Sequence, residues 1–540
     1  MDLQMLYRRT GEIGEHSGLG ARMAAASRPL TGLLLLGALA GSGDAFAAPG
    51  AAACIALETV SIPNTVITKA EYVTAASGHY CEIEATVAPQ HDVRIRLPDA
   101  WQGRYVQWGG GGFDGNITPL DMPGRQMTVG RVPTAEGFAV AASNGGHRSS
   151  DYPLATFAAD RTLTLSYSVA KIYDTDLVAR TLLKEYYGQP AHYNYFVGCS
   201  NGGKNASVAA SNYMDHYDGI VGQAGVYGHA DDDVGGADMP GLTAKWVRTM
   251  QVGALPLAKG DALYAKSVAV CDARDGLKDG IIGSPEACPF REIAQSMRCT
   301  GASTGTCLTD AELQQIDQHA SDLKIDGKVI GPRWSRAGNF AHFESVLPLS
   351  SGFLSMAYRQ SQPVDPLTFD IESQFLQLKT VLDDVYSMSG DLGGIVKYLA
   401  KDKKLILWHG WEDTVVPPYG SVHFYEALRK AAVRGSARNV KLYMAPGVGH
   451  CGDGPGANVS ALLYVIAKWV EENAEPGSPA NPIVAWHRPT NNNTGPQGIE
   501  SAVFTRPLCE YPSFPFYSGR GDPNSASSFH CRPGSRNDAR

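Results

Sequence analysis

Apolar and polar side chains alternate through Cys81-Glu82-Ile83-Glu84-Ala85-Thr86-Val87 and again through Val93-Arg94-Ile95-Arg96-Leu97. A period of two marks strands with one buried face. Tyr105-Val106-Gln107-Trp108 continues the series and runs into Gly109-Gly110-Gly111-Gly112. Phe138-Ala139-Val140-Ala141 reads as a short buried strand. The period then changes. Apolar residues three and four apart predict a helix over 166–187, followed by a strand over Tyr193-Asn194-Tyr195-Phe196-Val197 and a helix over 204–213. Near the C-terminal end the same order returns. Lys404-Leu405-Ile406-Leu407-Trp408 is a strand, 422–432 a helix, Val440-Lys441-Leu442-Tyr443-Met444 a strand and 457–472 an amphipathic helix. Strands alternating with helices predict an α/β fold whose sheet is mostly parallel and flanked by helices.

Residues 226–395 break the pattern. They carry four cysteines, an Asp/Gly-rich loop and amphipathic helices such as 310–323, and they read as a large inserted lid domain. The expected organisation is a leader over 1–47, the first part of the core domain over 48–225, the lid over 226–395, and the second part of the core with a stapled tail over 396–540. The tail, from about residue 481, is rich in Pro, Gly and Asn.

Composition narrows the class. Hydrophobic residues make up 44% of the 540, enough for a large core, and 60 glycines favour tight turns over a helical bundle. The net charge of -8 is spread out and no basic run stands out, which argues against a nucleic-acid partner. Arg22 and Arg28, then Leu33-Leu34-Leu35-Leu36, then Ala45-Phe46-Ala47 follow the plan of an export signal. Met23 would give a start of more ordinary length, and Arg8-Arg9 is poorly followed for a twin-arginine signal. The apolar run is short for a bilayer span, so no membrane attachment is expected once the signal is removed. The expected location is extracellular or periplasmic. Ten cysteines behind such a signal point to disulfides. Short spacing favours Cys271–Cys288, Cys299–Cys307 and Cys509–Cys531, with Cys54–Cys81 also plausible. Cys199 and Cys451 remain, far apart.

The chemistry starts at Gly198-Cys199-Ser200-Asn201-Gly202, a G-x-S-x-G between a strand and a helix. In α/β-hydrolases this turn lifts the serine hydroxyl off the sheet edge, and the acid and base follow in chain order. Asp413 lies just past the strand 404–408, and His450 just past 440–444. Ser200 is the candidate nucleophile, His450 the base and Asp413 the acid, with Glu412 as rival acid. His409 reads as a packing residue. Asn201, by position, supplies one oxyanion N–H, and the run Gly109 to Gly112 supplies the other, with Gly112 the candidate. A catalytically silent hydrolase fold serving as a secreted binding module is the alternative of another class. Such a protein would be expected to lack a triad member, and all three are present.

Taken together, Cys199-Ser200, Asp413 and His450-Cys451 resemble the tannase and feruloyl esterase family of α/β-hydrolases. Gly111-Gly112-Phe113, Tyr217-Asp218-Gly219-Ile220-Val221, His409-Gly410-Trp411 and Pro417-Pro418 extend the likeness over about 54–531. The resemblance implies a Cys199–Cys451 disulfide joining the nucleophile turn to the histidine loop. It implies a structural Ca2+ in the lid, held by the Asp272, Asp275 and Asp279 side chains and the Leu277 and Ile281 carbonyls. It implies no organic cofactor. The substrate it implies is a small ester of an aromatic acid, feruloyl, hydroxycinnamoyl or galloyl, cleaved through an acyl-enzyme. A related branch hydrolyses mono(2-hydroxyethyl) terephthalate and grips the free carboxylate with a lid arginine. His342 falls near that position here, with Arg336 and Arg359 nearby, so the plant-ester reading is preferred and the terephthalate reading is the runner-up.

Overall fold

The computed structural model describes residues 49–120, 131–227, 239–301, 305–433, 435–488 and 498–534. The export signal read from the sequence lies outside them. Nine strands form one sheet in the order β1-β2-β3-β5-β4-β6-β7-β10-β11. They are β1 Thr65–Ala75, β2 Gly78–Val87, β3 His91–Pro98, β4 Arg104–Trp108, β5 Phe138–Ser143, β6 Tyr193–Cys199, β7 Gly219–Gln223, β10 Lys404–Gly410 and β11 Val440–Ala445. The hairpin β8 Leu323–Ile325 and β9 Lys328–Gly331 stands apart. Pairs from β1 through β3 to β5 are antiparallel. The five pairs from β5 to β11 are parallel.

Burial follows the pattern. β3 alternates buried and half-buried positions, whereas every residue of β10 and β11 is buried. Strands covered on both faces by helices have no solvent side to alternate toward. Four helices supply that cover: α1 Lys171–Tyr187, α2 Asn201–Asn212, and two that appear below in the order of the chain.

The helix expected over 166–187 is longer and less regular. A turn of helix spans Arg161–Leu165, capped by the Asp160 carboxylate on the Thr162 and Leu163 N–H groups at 2.7 and 3.2 Å. A π-helical segment, Ser166–Ala170, then leads into α1. The expected start at 166 falls on this wide turn, and the regular α-helix begins only at Lys171.

Among the described residues between β7 and β10 no strand joins the main sheet. This insertion contains α3 Met239–Val252, α4 Leu257–Cys271, α5 Val346–Tyr358 and α6 Leu392–Ala400. It has an aromatic core of its own, with Trp246, Trp334, Phe340, Phe343 and Phe353 all buried. Phe157 and Tyr167, from the segment before α1, belong to that core. After it, α7 Pro418–Ala431 and α8 Leu462–Glu472 complete the cover of the sheet. α8 starts five residues later than the pattern predicts. Val459 instead pairs its backbone with Trp486, and Ala461 is left-handed at φ 48°.

All ten cysteines are paired, as Cys54–Cys81, Cys199–Cys451, Cys271–Cys288, Cys299–Cys307 and Cys509–Cys531. Among the described residues no helix is long and apolar enough to cross a membrane.

Candidate active site

The parallel strands deliver their C-terminal ends to one edge of the sheet, where α/β proteins place ligands. β6 ends at Cys199, β4 at Trp108, β10 at Gly410 and β11 at Ala445. Four loops therefore converge.

Ser200 occupies the turn between β6 and α2 at φ 62° and ψ -121°. A non-glycine residue there is strained, and the surroundings hold it. Its N–H donates to the Gln223 carbonyl at 2.9 Å, and its own carbonyl accepts from the Lys204 N–H at 3.0 Å. The hydroxyl-bearing residue thus sits at the N-terminus of a twelve-residue helix, whose free N–H groups favour developing negative charge. The β4 loop lies against the same turn. A Cβ on Gly202 would be 2.7 Å from the Gly110 carbonyl oxygen, so only glycine allows this approach. Gly112 has φ +55°, and a Cβ there would meet nothing within 4 Å. Its carbonyl accepts a bond from the Tyr167 hydroxyl at 2.9 Å.

Asp413 is wholly buried, and both of its oxygens are occupied. Oδ1 accepts from the Val415 and Val416 N–H groups at 2.7 and 2.8 Å. Oδ2 faces His450 Nδ1 at 2.7 Å and His409 Nε2 at 3.0 Å. Burial alone would raise this carboxyl, but the two imidazoles and their hydrogen bonds hold it well below the ordinary aspartate range. His450 is partly exposed, with 19% of its side chain accessible, and its Nδ1 faces Asp413.

Glu412 is not in this arrangement. Its carboxyl takes the Tyr264 hydroxyl at 2.9 Å, and burial pushes it up to about 7. His450 turns to Asp413, which separates the two candidate acids. His409 is the residue that pattern reading left as mere packing. It is fully buried, its Nε2 faces two acceptors, Asp413 Oδ2 and the Val416 carbonyl, and its Nδ1 lies 2.7 Å from Ser421 Oγ. Two acceptors facing Nε2 make that nitrogen the donor to Asp413. The only trace in the sequence is its place four residues before Asp413.

The Cys199–Cys451 disulfide spans 252 residues and joins the residue before Ser200 to the residue after His450. It fixes the loop that carries His450 to the turn that carries Ser200. Closing so long a loop restricts the unfolded chain by up to about 5 kcal/mol in the chain-entropy model. The expected outcome of replacing both cysteines (Cys199→Ala with Cys451→Ala) is a lower melting temperature and a lower kcat. A variant matching the native protein in both measurements would contradict the tether.

Near the position where the terephthalate branch carries its arginine, His342 faces two carboxylates. His342 Nε2 is 3.8 Å from Asp261, and Nδ1 is 3.5 Å from Glu344. In the Asp/Gly loop, Asp272 accepts from the Asp279 and Gly280 N–H groups at 3.1 and 3.0 Å, and Asp275 from the Leu277 N–H at 3.1 Å. Asp279 also pairs with Arg506 at 2.6 Å. Burial, then the neighbouring Asp279 and Asp272 charges, push the Asp275 carboxyl up to about 7, against the pull of the Leu277 N–H.

A family model described as tannase and feruloyl esterase matches residues 74–345 and 343–532. Mono(2-hydroxyethyl) terephthalate hydrolase of Piscinibacter sakaiensis is 26% identical over 85% of this chain and 85% of its own length. A probable feruloyl esterase of Arthroderma benhamiae is 27% identical over 81% of this chain and 82% of its own. In three dimensions, feruloyl esterase B from Aspergillus oryzae superposes with a TM-score of 0.74 at 20% identity, covering 89% of this chain and 99% of that one. Tannin acyl hydrolase from Aspergillus niger gives 0.65 at 18%, covering 89% and 94%. These structures share the α/β-hydrolase fold with the nine-stranded sheet described above. With the family model covering most of the chain on top of this fold, the protein belongs to the tannase and feruloyl esterase family and is an esterase.

Proposed function

We propose that the chain is a secreted serine ester hydrolase acting on small esters of aromatic acids, with Ser200, His450 and Asp413 as its triad. The observation that carries this is the joint placement of the three loops. Ser200 stands on a strained turn at a helix N-terminus, and the disulfide beside it leads to a histidine bonded to a buried, ionised aspartate. His450 takes the Ser200 proton as Oγ attacks the ester carbonyl, and returns it to the departing alcohol. The N–H groups of Asn201 and Gly112 hold the oxyanion. Water then repeats the sequence on the acyl-enzyme and releases the acid.

Feruloyl and galloyl esters are the preferred substrates. Similarity to the terephthalate hydrolase supports the second reading. A panel of methyl ferulate, methyl gallate and the terephthalate monoester, run with purified protein, separates them. The preferred reading expects kcat/KM to be highest on ferulate or gallate. A clear preference for the monoester would select the second reading, and inactivity on all three would overturn the proposal. Complete pairing of the cysteines supports an extracellular or periplasmic location.

A structural calcium in the insertion is part of the same reading, supported by the donor chemistry of one acidic turn. Asp272, Asp275 and Asp279 offer only hard oxygen donors, and Arg506 balances a single one of the three charges. Among the described residues no group of three or more His, Cys, Asp or Glu side chains closes into a metal cluster by itself. Backbone carbonyls, for which Leu277 and Ile281 are the candidates, would complete the shell. Bound there, the ion would neutralise an acidic turn in which Asp275 is the one buried carboxylate, stapled by Cys271–Cys288. Chelation is expected to lower the melting temperature by several degrees, reversed by added calcium. An unchanged melting curve after metal removal, verified by elemental analysis, would contradict the site.

A further inference from the structure

Behind the proposed oxyanion site lies a buried carboxylate that the reaction scheme does not use. Asp114 follows Gly112 by two residues and is held at φ 49° by a turn in which its N–H donates to the Gly111 carbonyl at 2.9 Å. Its side chain is 1% exposed. Space for it is made by glycines: a Cβ on Gly145 would lie 2.2 Å from Asp114 Cβ, and one on Gly110 would lie 2.8 Å from Asp114 Oδ2. The two oxygens are divided. Oδ2 takes the Lys171 ammonium at 2.9 Å, and Oδ1 takes the Asn201 side-chain N–H at 2.7 Å. Lys171 also lies over the face of Tyr167, at 4.1 Å from the ring centroid, and the Tyr167 hydroxyl holds the Gly112 carbonyl.

Asn201 is the first residue of α2 and carries one of the two oxyanion N–H groups; Gly112 carries the other. The Asp114 carboxylate therefore spans the gap between the two loops that supply them. We propose that Asp114 is a positioning residue that fixes the separation of the two oxyanion donors, by tying the Asn201 side chain to the Gly112 loop. This rests on the serine-hydrolase reading. Lys171 holds the other oxygen of this carboxylate, so that the Asn201 amide meets one fixed acceptor. A hydrogen-bonded oxyanion site works because its donors are set before charge develops, and small displacements of either donor weaken it in the transition state more than in the ground state.

Removing the tether without disturbing the Asp114–Lys171 pair is possible with Asn201→Ala, which keeps the backbone N–H. The expected result is a kcat lowered by about 10- to 100-fold, with KM within about threefold. The dissociation constant for phenylboronic acid, which forms a tetrahedral adduct on the serine, should rise by the same factor as kcat falls. Asp114→Asn, which keeps the shape and loses the charge opposite Lys171, should shift both quantities in the same direction. If Asp114→Asn does not accumulate folded, Asn201→Ala alone decides. An Asn201→Ala enzyme with kcat within about threefold of wild type, or with unchanged boronate affinity, overturns the positioning role. Ester turnover by the wild type, abolished in Ser200→Ala, is measured alongside. Its absence would overturn the serine-hydrolase reading instead, so the two failures are distinct.

Discussion

Ester turnover should fall by about 10,000-fold or more in Ser200→Ala, with the melting temperature unchanged. The strained backbone at φ 62° costs alanine as much as it costs serine, because both carry a Cβ. The bonds that hold the turn run through the backbone N–H and carbonyl of residue 200, and alanine keeps both. What is lost is the oxygen alone. Residual activity would be limited to what the oxyanion donors and substrate binding supply. Turnover measured by product chromatography, beside a circular-dichroism melt, checks both halves. Substantial turnover with an intact fold would remove Ser200 from the chemistry.

The second large effect is expected for Asp413→Asn, by about 1,000- to 10,000-fold in kcat. The argument turns on which way the amide must lie. Two backbone N–H groups, from Val415 and Val416, point at Oδ1, so an oxygen must stay there. The NH2 group is then forced to the Oδ2 position, facing His450 Nδ1 and His409 Nε2. It can only donate. His450 would have to accept at Nδ1, which moves its proton to the other ring nitrogen, the one needed to receive the serine proton. The base would be present but in the wrong tautomer. Glu412→Gln, whose side chain is bonded to Tyr264, should retain most of the turnover. The reverse pattern, with Glu412→Gln inactive and Asp413→Asn active, would show that the acid had been misassigned.

Much of the placement of the candidate site residues could be read from the chain because the elements that carry them are local. β6, β10 and β11 are short apolar runs, and Ser200, Asp413 and His450 lie within six residues of their ends. What escaped has physical causes. β7 is Gly219-Ile220-Val221-Gly222-Gln223, five residues with two glycines and a polar end, too brief for any period to show. β1 is an edge strand with a single fully buried residue, so its pattern is muted. Asp114, Lys171 and Asn201 come from three separate segments, and nothing in the spacing of 114, 171 and 201 announces a shared hydrogen bond. The partnership of His409 with Asp413 depends on the direction of two side chains, which strand periodicity does not encode.

With the hydrogen bond that His450 donates to Asp413 and the disulfide beside Ser200, the proposed mechanism expects one uniquely reactive serine. Labelling the wild-type protein with a fluorophosphonate and locating the adduct by peptide mass spectrometry tests this most directly. The account predicts one phosphonyl group, on Ser200, absent from Ser200→Ala and much slower to form in His450→Ala. An enzyme that cleaves esters yet carries no label on Ser200, or carries it on another residue, would contradict it.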